Sequence, residues 1–198
     1  MNRTEKKQGL SPLQIRRLTY AALYLAIAMV LPFVTGQVPE IGSKLLPMHI
    51  PALLCGFMCG WKYGLVVGFI APLLRSVTFG MPPMIPEAVA MAFELAVYGG
   101  MSGWLRRVLP GRIGYIYAAL LLSMIAGRIA WAIVRLSLAG LAVSGFSWKL
   151  FMAGAVTRAI PGIILQLAII PVLVTAMEKA GLSLNVKEKQ YGSKPSGM

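Results

Sequence analysis

The sequence is poor in the side chains on which most soluble enzymes and metal sites depend. It contains no Asp, one His (His49) and two cysteines, Cys55 and Cys59, which lie four residues apart. That spacing, without further Cys or a second His nearby, is not typical of a zinc or redox site. The GxSxG, HExxH and phosphate-binding Gly-rich motifs are also missing. We therefore expect neither a metal nor a cofactor, and we interpret the two cysteines as packing residues.

Charge is scarce as well. Only 13% of the 198 residues are charged, whereas about 25% is usual in soluble domains, and 58% of the residues are hydrophobic. This composition predicts an integral membrane protein of one domain. A spanning helix needs about 20 apolar residues, so the chain has room for about six or seven spans.

The net charge of +13 comes largely from basic residues beside the predicted spans. Thirteen of the 19 Lys and Arg residues lie in the two tails and two short loops: Arg3, Lys6, Lys7, Arg16, Arg17, Lys62, Arg106, Arg107, Arg112, Lys179, Lys187, Lys189 and Lys194. Basic residues near span ends mark the cytoplasmic side of a membrane protein. The distribution predicts cytoplasmic termini, and no nucleic-acid partner is needed to explain the charge.

The hydropathy pattern predicts an all-α membrane protein with six transmembrane helices. We expect spans at about 13–34, 49–60, 63–79, 87–104, 113–138 and 150–177. The chain then divides into a basic cytoplasmic tail at 1–12, the six-helix domain at 13–178 and a polar cytoplasmic tail at 179–198. Because the second span covers only about 18 Å as a helix, spans two and three either cross obliquely or form a re-entrant hairpin.

Polar and aromatic residues inside these spans are the candidate substrate-binding residues. Charges are costly in hydrocarbon, so a segment that keeps them uses them or pairs them. Glu87 and Glu94 are seven residues apart and therefore share a helix face, and the same holds for Arg128 and Arg135. The predicted directions of the spans place most of these groups in the outer half of the membrane. The candidates are His49, Arg75, Glu87, Glu94, Arg128, Trp131, Arg135 and Arg158.

Interhelical ion pairs are the simplest role for these charges, for example Glu94 with Arg128, and Glu87 with Arg75 or Arg135. Four Arg nevertheless face two Glu, which leaves two positive charges without a complement. Because Arg suits planar carboxylate or phosphate partners, the excess favours a small anionic or strongly hydrogen-bonding solute bound from outside.

Two candidates also have plainer structural roles. Trp131 lies one turn from Arg128 and Arg135, so it could stack on a ring or a guanidinium, or simply pack in the membrane core. His49 lies between two prolines at the membrane face. A lone His is more often a structural hydrogen-bonding residue than a ligand contact, and both roles stay open.

A small intramembrane enzyme that uses Glu87 or Glu94 as acid or base is the alternative of a different class. Seven helical residues separate the two carboxylates by about 10 Å along the helix axis. That distance is too large for shared acid–base work without other groups, so we do not expect an enzyme.

Two sequence patterns resemble a known family. Ala22 and Ala26 in AALYLA form a small-xxx-small pair on span one, and a long external loop follows. The run PALLCGFMCGWKYGLVVGFIAPLLRSVTFG places glycines at 56, 60, 64 and 68. With six spans in under 200 residues, the chain resembles the substrate-binding S component of energy-coupling factor (ECF) vitamin importers.

The resemblance implies a multi-pass protein of a bacterial-type cell membrane that captures a vitamin or its precursor from outside. It implies association, through Ala22 and Ala26, with a transmembrane coupling protein and two cytosolic ATPases that drive uptake. The loops at 35–48 and 80–85 are the expected lids. The excess of Arg favours a pantothenate-like anion, while pyridoxine or a thiamine-precursor pyrimidine remains open.

Overall fold

Residues 10–34, 46–141 and 160–185 are described by the computed structural model, and helices and short turns account for all of them. The helices are α1 (Pro12–Val34), α2 (His49–Cys59), α3 (Trp61–Phe79), α4 (Val89–Val108), α5 (Ile113–Leu141) and α6 (Ile160–Lys179). A wide helical turn, Met84–Ala88, leads into α4. The predicted start of span six, at 150–159, lies outside the described residues.

Five of these helices are long and apolar enough to cross a membrane, and α2 is shorter. The prediction of an all-helical, six-helix membrane protein is therefore confirmed. Basic residues cap one end of the bundle, where Arg17 at the start of α1 donates a hydrogen bond to the carbonyl of Leu184 at 2.9 Å. At the same end Arg106 of α4 and Glu178 of α6 form two hydrogen bonds of 2.7 and 2.6 Å. We call this the basic end.

The short helix α2 lies in the interior of the bundle. It packs against α1, α3, α4 and α6, and ten of its eleven residues are buried. Its 11 residues span only about 16 Å, but a helix surrounded by protein does not have to match the thickness of the bilayer. This position explains how an apolar helix can begin with His49, because that side chain faces protein instead of lipid.

Glycines allow α2, α3 and α4 to approach each other at backbone distance. Gly60 alone links α2 to α3 and has φ +99°, a conformation that other residues rarely adopt. A Cβ on Gly56 or Gly64 would overlap the carbonyl oxygen of Gly99, and one on Gly68 would overlap the carbonyl oxygen of Leu95. Three of the four glycines noted in the sequence, Gly56, Gly64 and Gly68, thus form a helix-packing surface that faces α4.

Helix α4 places the candidate residue Glu94 in the centre of the molecule. It packs against α2, α3 and α5, and its buried positions include Glu94 and Tyr98. Because α4 runs from the Met84–Ala88 turn toward the basic end, Glu87 lies near the opposite end of the bundle and Glu94 lies about 10 Å deeper.

Candidate functional site

An ion pair between α5 and the turn before α4 forms the outermost layer of the candidate site. Arg135 Nη1 donates a hydrogen bond to Glu87 Oε1 at 2.7 Å. The two side chains are 26% and 41% exposed, so water or a solute can reach them. Of the two partners considered for Glu87, the structure thus selects Arg135. We call Glu87 and Arg135 the outer pair.

A second group of charges lies deeper, where α2, α4 and α5 meet. Glu94 Oε1 is 3.2 Å from Arg128 Nε and 3.5 Å from His49 Nε2. The side chains of Glu94 and His49 are 1% and 0% exposed, whereas that of Arg128 is 19% exposed. The expected pairing of Glu94 with Arg128 is present, and His49 joins it from the buried helix.

Tyr98 completes this group and was missed in the sequence. Its ring packs edge-on against the His49 ring with 5.2 Å between centroids, and its hydroxyl interacts electrostatically with Glu94 and Arg128. Gly127 makes room for it, because a Cβ there would overlap the Tyr98 ring. The available signal was its position four residues after Glu94, on the same helix face. We call His49, Glu94, Tyr98 and Arg128 the buried cluster.

The buried cluster has unusually many unsatisfied polar atoms. Both ring nitrogens of His49, Glu94 Oε1, the Tyr98 hydroxyl, and Arg128 Nε and Nη2 are buried without a well-aligned hydrogen bond in the described part of the chain. The contacts between Glu94, Arg128 and His49 are within ion-pair distance but are not aligned as hydrogen bonds. Native proteins leave few such atoms per 100 residues, so six on four neighbouring side chains call for a functional explanation.

Trp131 connects the two layers. The guanidinium carbons of Arg128 and Arg135 lie 5.8 and 5.5 Å from its ring centroid, one helical turn on either side. Both distances are within the range of cation–π attraction. The indole is only 6% exposed, so it packs in the interior and also holds the two guanidinium groups along one face of α5.

In the ranges that the structure describes, Arg75 contacts residues of α1 and α3 and not the outer pair or the buried cluster. Its Nη1 donates to the Met29 carbonyl at 2.6 Å, and its guanidinium carbon lies 5.0 and 5.2 Å from the rings of Phe33 and Phe79. Within the described residues, none of the contacts recorded for Arg75 involves a carboxylate or the buried cluster. The recognised partners of this guanidinium are therefore a backbone carbonyl and two aromatic rings on α1 and α3.

The remaining predicted residues lie elsewhere or outside the described ranges. Arg158, and residues 35–45 of the expected lid, fall outside the described residues. Ala22 and Ala26 are exposed on α1, while Ala21 and Ala28 of the same helix face the interior. Gln166 of α6, a helix that packs against α2 and α5, is fully buried and neither of its side-chain amide atoms has a recorded partner.

The fold is that of a multi-pass membrane protein with charged and polar groups held between its helices, in the half of the bundle that lies away from the basic end. A family model described as "ECF transporter, substrate-specific component" matches residues 16–174. The chain therefore belongs to the ECF transporter substrate-specific components, and the resemblance inferred from the sequence is confirmed. No match was found among curated proteins or among solved structures.

Membership of this family establishes the general role. Such proteins are substrate-binding transport subunits of the cell membrane that are not themselves ATPases, and they work with a small-molecule substrate and partners of the ECF module. Glu87 and Glu94, the carboxylates of the alternative enzyme hypothesis, are each next to an Arg on α5.

Proposed function

We propose that this chain binds a water-soluble vitamin or vitamin precursor in its outer half, between the outer pair and the buried cluster, for uptake driven by partner subunits. The observation that carries the proposal is the group of six unsatisfied buried atoms beside a reachable ion pair. Buried polar atoms without partners cost free energy, and a polar ligand would provide the missing hydrogen bonds.

A pantothenate-like anion is the substrate that we favour. Only Nη1 of Arg135 is recorded as bonding to Glu87, and a guanidinium carries five N–H donors, so Arg135 retains donors for a ligand carboxylate. Arg158 would add positive charge if it faces the same site. Arg75 adds less to the positive charge at this site than the sequence indicated, because its contacts within the described residues are with a carbonyl and rings of α1 and α3 and not with the outer pair.

Pyridoxine or a thiamine-precursor pyrimidine is the second candidate. Glu94 and His49 could accept and donate hydrogen bonds to ring nitrogens, amino groups or hydroxyls. Trp131 lies beside the same layer and could stack on an aromatic ring.

The ligand is tested by heating the purified full chain in lipid nanodiscs with pantothenate, pyridoxine, aminopyrimidine thiamine precursors and the other water-soluble vitamins. A ligand present at a thousand times its Kd stabilises the folded state by about 4 kcal/mol. We expect one vitamin, or a set of chemically related vitamins, to raise the midpoint of thermal unfolding by several degrees. Absence of a shift with every member would contradict the proposed function.

We further propose that α1 binds the transmembrane coupling protein through Ala22 and Ala26, next to which two ATPase subunits would assemble. Both residues are exposed, and small residues four apart let a second helix approach closely. Of the five long helices, α1 is also the one with the smallest buried share.

Replacing both residues, Ala22→Leu with Ala26→Leu, is expected to reduce co-purification of the coupling protein at least tenfold, because Leu side chains would hold the helices apart. Vitamin binding by the isolated chain should be unchanged. Ala176→Leu, an exposed position on α6, is the matched control and should leave both properties intact. Equal co-purification of all three proteins would exclude this face as the contact.

A further inference from the structure

The buried cluster has the composition of a subsite for an uncharged group. Glu94 and Arg128 carry opposite charges and lie 3.2 Å apart, so the charges of this pair already balance each other. A ligand anion placed here would meet the carboxylate of Glu94 as well as the guanidinium of Arg128. A buried site whose charges already balance gains little from another ion and would leave that ion without a full complement.

The unsatisfied atoms of the cluster include both donors and acceptors. Arg128 offers N–H groups at Nε and Nη2, the Tyr98 hydroxyl can donate and accept, and Glu94 Oε1 accepts. The two ring nitrogens of His49 add further hydrogen-bonding positions. The complementary ligand group therefore carries a donor beside an acceptor, as an alcohol, a carboxamide or an amino-substituted heterocycle does.

The position of Tyr98 is fixed by its neighbours. Gly127 leaves the space that the ring occupies. The His49 ring packs edge-on against it, with 5.2 Å between the ring centroids. The hydroxyl is thereby held close to Glu94 and Arg128, but without a well-aligned hydrogen bond to either. A buried tyrosine hydroxyl normally has an aligned partner, so this hydroxyl is suited to bind a polar group of a ligand.

We propose that the buried cluster binds the uncharged, hydrogen-bonding end of the substrate and that Tyr98 determines specificity for that end. The inference rests on the proposed function and assigns the two layers different tasks. Any carboxylate of the substrate would lie toward Arg135 in the outer pair, and the alcohol, amide or amino-heterocycle end would lie deeper. Arg128, which is 19% exposed, is the member of the cluster that a ligand would reach first.

Tyr98→Phe tests this assignment, because it removes the hydroxyl and keeps the ring that fills the space beside Gly127. Tyr24→Phe is the matched control, since Tyr24 is a buried tyrosine of α1 whose hydroxyl contacts the Met177 sulfur at 3.7 Å, away from the cluster. Affinities are measured by calorimetry on the full chain in nanodiscs. The ligands are three pairs: pyridoxine and 4-pyridoxate, nicotinamide and nicotinate, and pantothenate and panthenol.

The first two pairs replace an alcohol or amide by a carboxylate, and we expect the protein to bind the neutral member at least tenfold more tightly. Pantothenate and panthenol share their hydroxyl-bearing end, so we expect their affinities to agree within about tenfold. Tyr98→Phe should weaken the ligands that bind by about 2- to 12-fold, the value of one hydrogen bond, and should reduce the preference for the neutral member. Tyr24→Phe should change neither.

Two results would overturn the proposal while leaving the proposed function standing. One is binding that Tyr98→Phe and Tyr24→Phe affect equally, which would make the cluster a purely structural network. The other is tighter binding of 4-pyridoxate or nicotinate than of the neutral partner. Absence of binding by every vitamin tested is a different outcome, because it would remove the proposed function itself.

Discussion

Glu94→Gln is expected to destabilise the protein by about 3 kcal/mol and to weaken vitamin binding at least tenfold. The change removes the negative charge beside Arg128 and leaves a mostly buried guanidinium without its counter-ion, which is among the most costly changes in a protein interior. For a chain of this size the loss corresponds to a fall of about 6–12 °C in the midpoint of thermal unfolding.

Glu87→Gln is the matched control, because it makes the same chemical change in the exposed outer pair. Exposed ion pairs contribute at most about 1 kcal/mol, so the midpoint should fall by no more than about 4 °C. The midpoints of thermal unfolding of the two variants are compared in lipid nanodiscs without ligand. Equal effects of the two substitutions would show that the two layers do not differ in burial as described.

Gly99→Ala is also expected to have a large effect and to lower the free energy of unfolding by about 3 kcal/mol or more. The new Cβ would overlap backbone atoms of Gly64, and backbone cannot move aside without separating α3 from α4. Because these helices hold Glu94 and Tyr98 in place, vitamin binding should weaken as well.

The neighbouring residue gives a stringent control. A Cβ on Gly100 meets only side-chain atoms of Leu65, at 3.6 Å or more, which is ordinary contact. Gly100→Ala should therefore leave stability unchanged or raise it by about 0.5–1 kcal/mol through better helix propensity. Both variants gain the same propensity, so the difference between their unfolding midpoints measures packing alone. A difference near zero would contradict the close approach of α3 and α4.

Much of the fold could be predicted because a membrane-spanning helix is recognised mainly by the hydrophobicity of its own residues. Apolar runs gave the long helices, and basic residues such as Arg17 and Arg106 fall together at one end of the bundle. The burial of α2 could not be predicted from its own sequence. Whether an apolar helix faces lipid or protein depends on its neighbours, which is why spans two and three remained open between two arrangements.

The site was predictable in part for a similar reason. The seven-residue spacings placed Glu87 with Glu94 and Arg128 with Arg135 on one face of their helices, and they allowed the pairing of Glu94 with Arg128 to be expected. Arg75 could not be separated from them, because its contacts with α1 depend on packing between distant segments. Tyr98 was missed because an aromatic residue on an apolar helix usually packs in a core. Only the structure places its hydroxyl beside two charges.

A calorimetric titration measures directly whether this chain binds a vitamin and whether Glu94 takes part. The purified full chain in nanodiscs, without nucleotide or partner subunits, is titrated with the vitamin that stabilises it most. We predict saturable binding of one ligand per chain, weakened at least tenfold by Glu94→Gln and unchanged by Ala22→Leu with Ala26→Leu. Absence of binding, or binding that Glu94→Gln leaves unchanged, would contradict it.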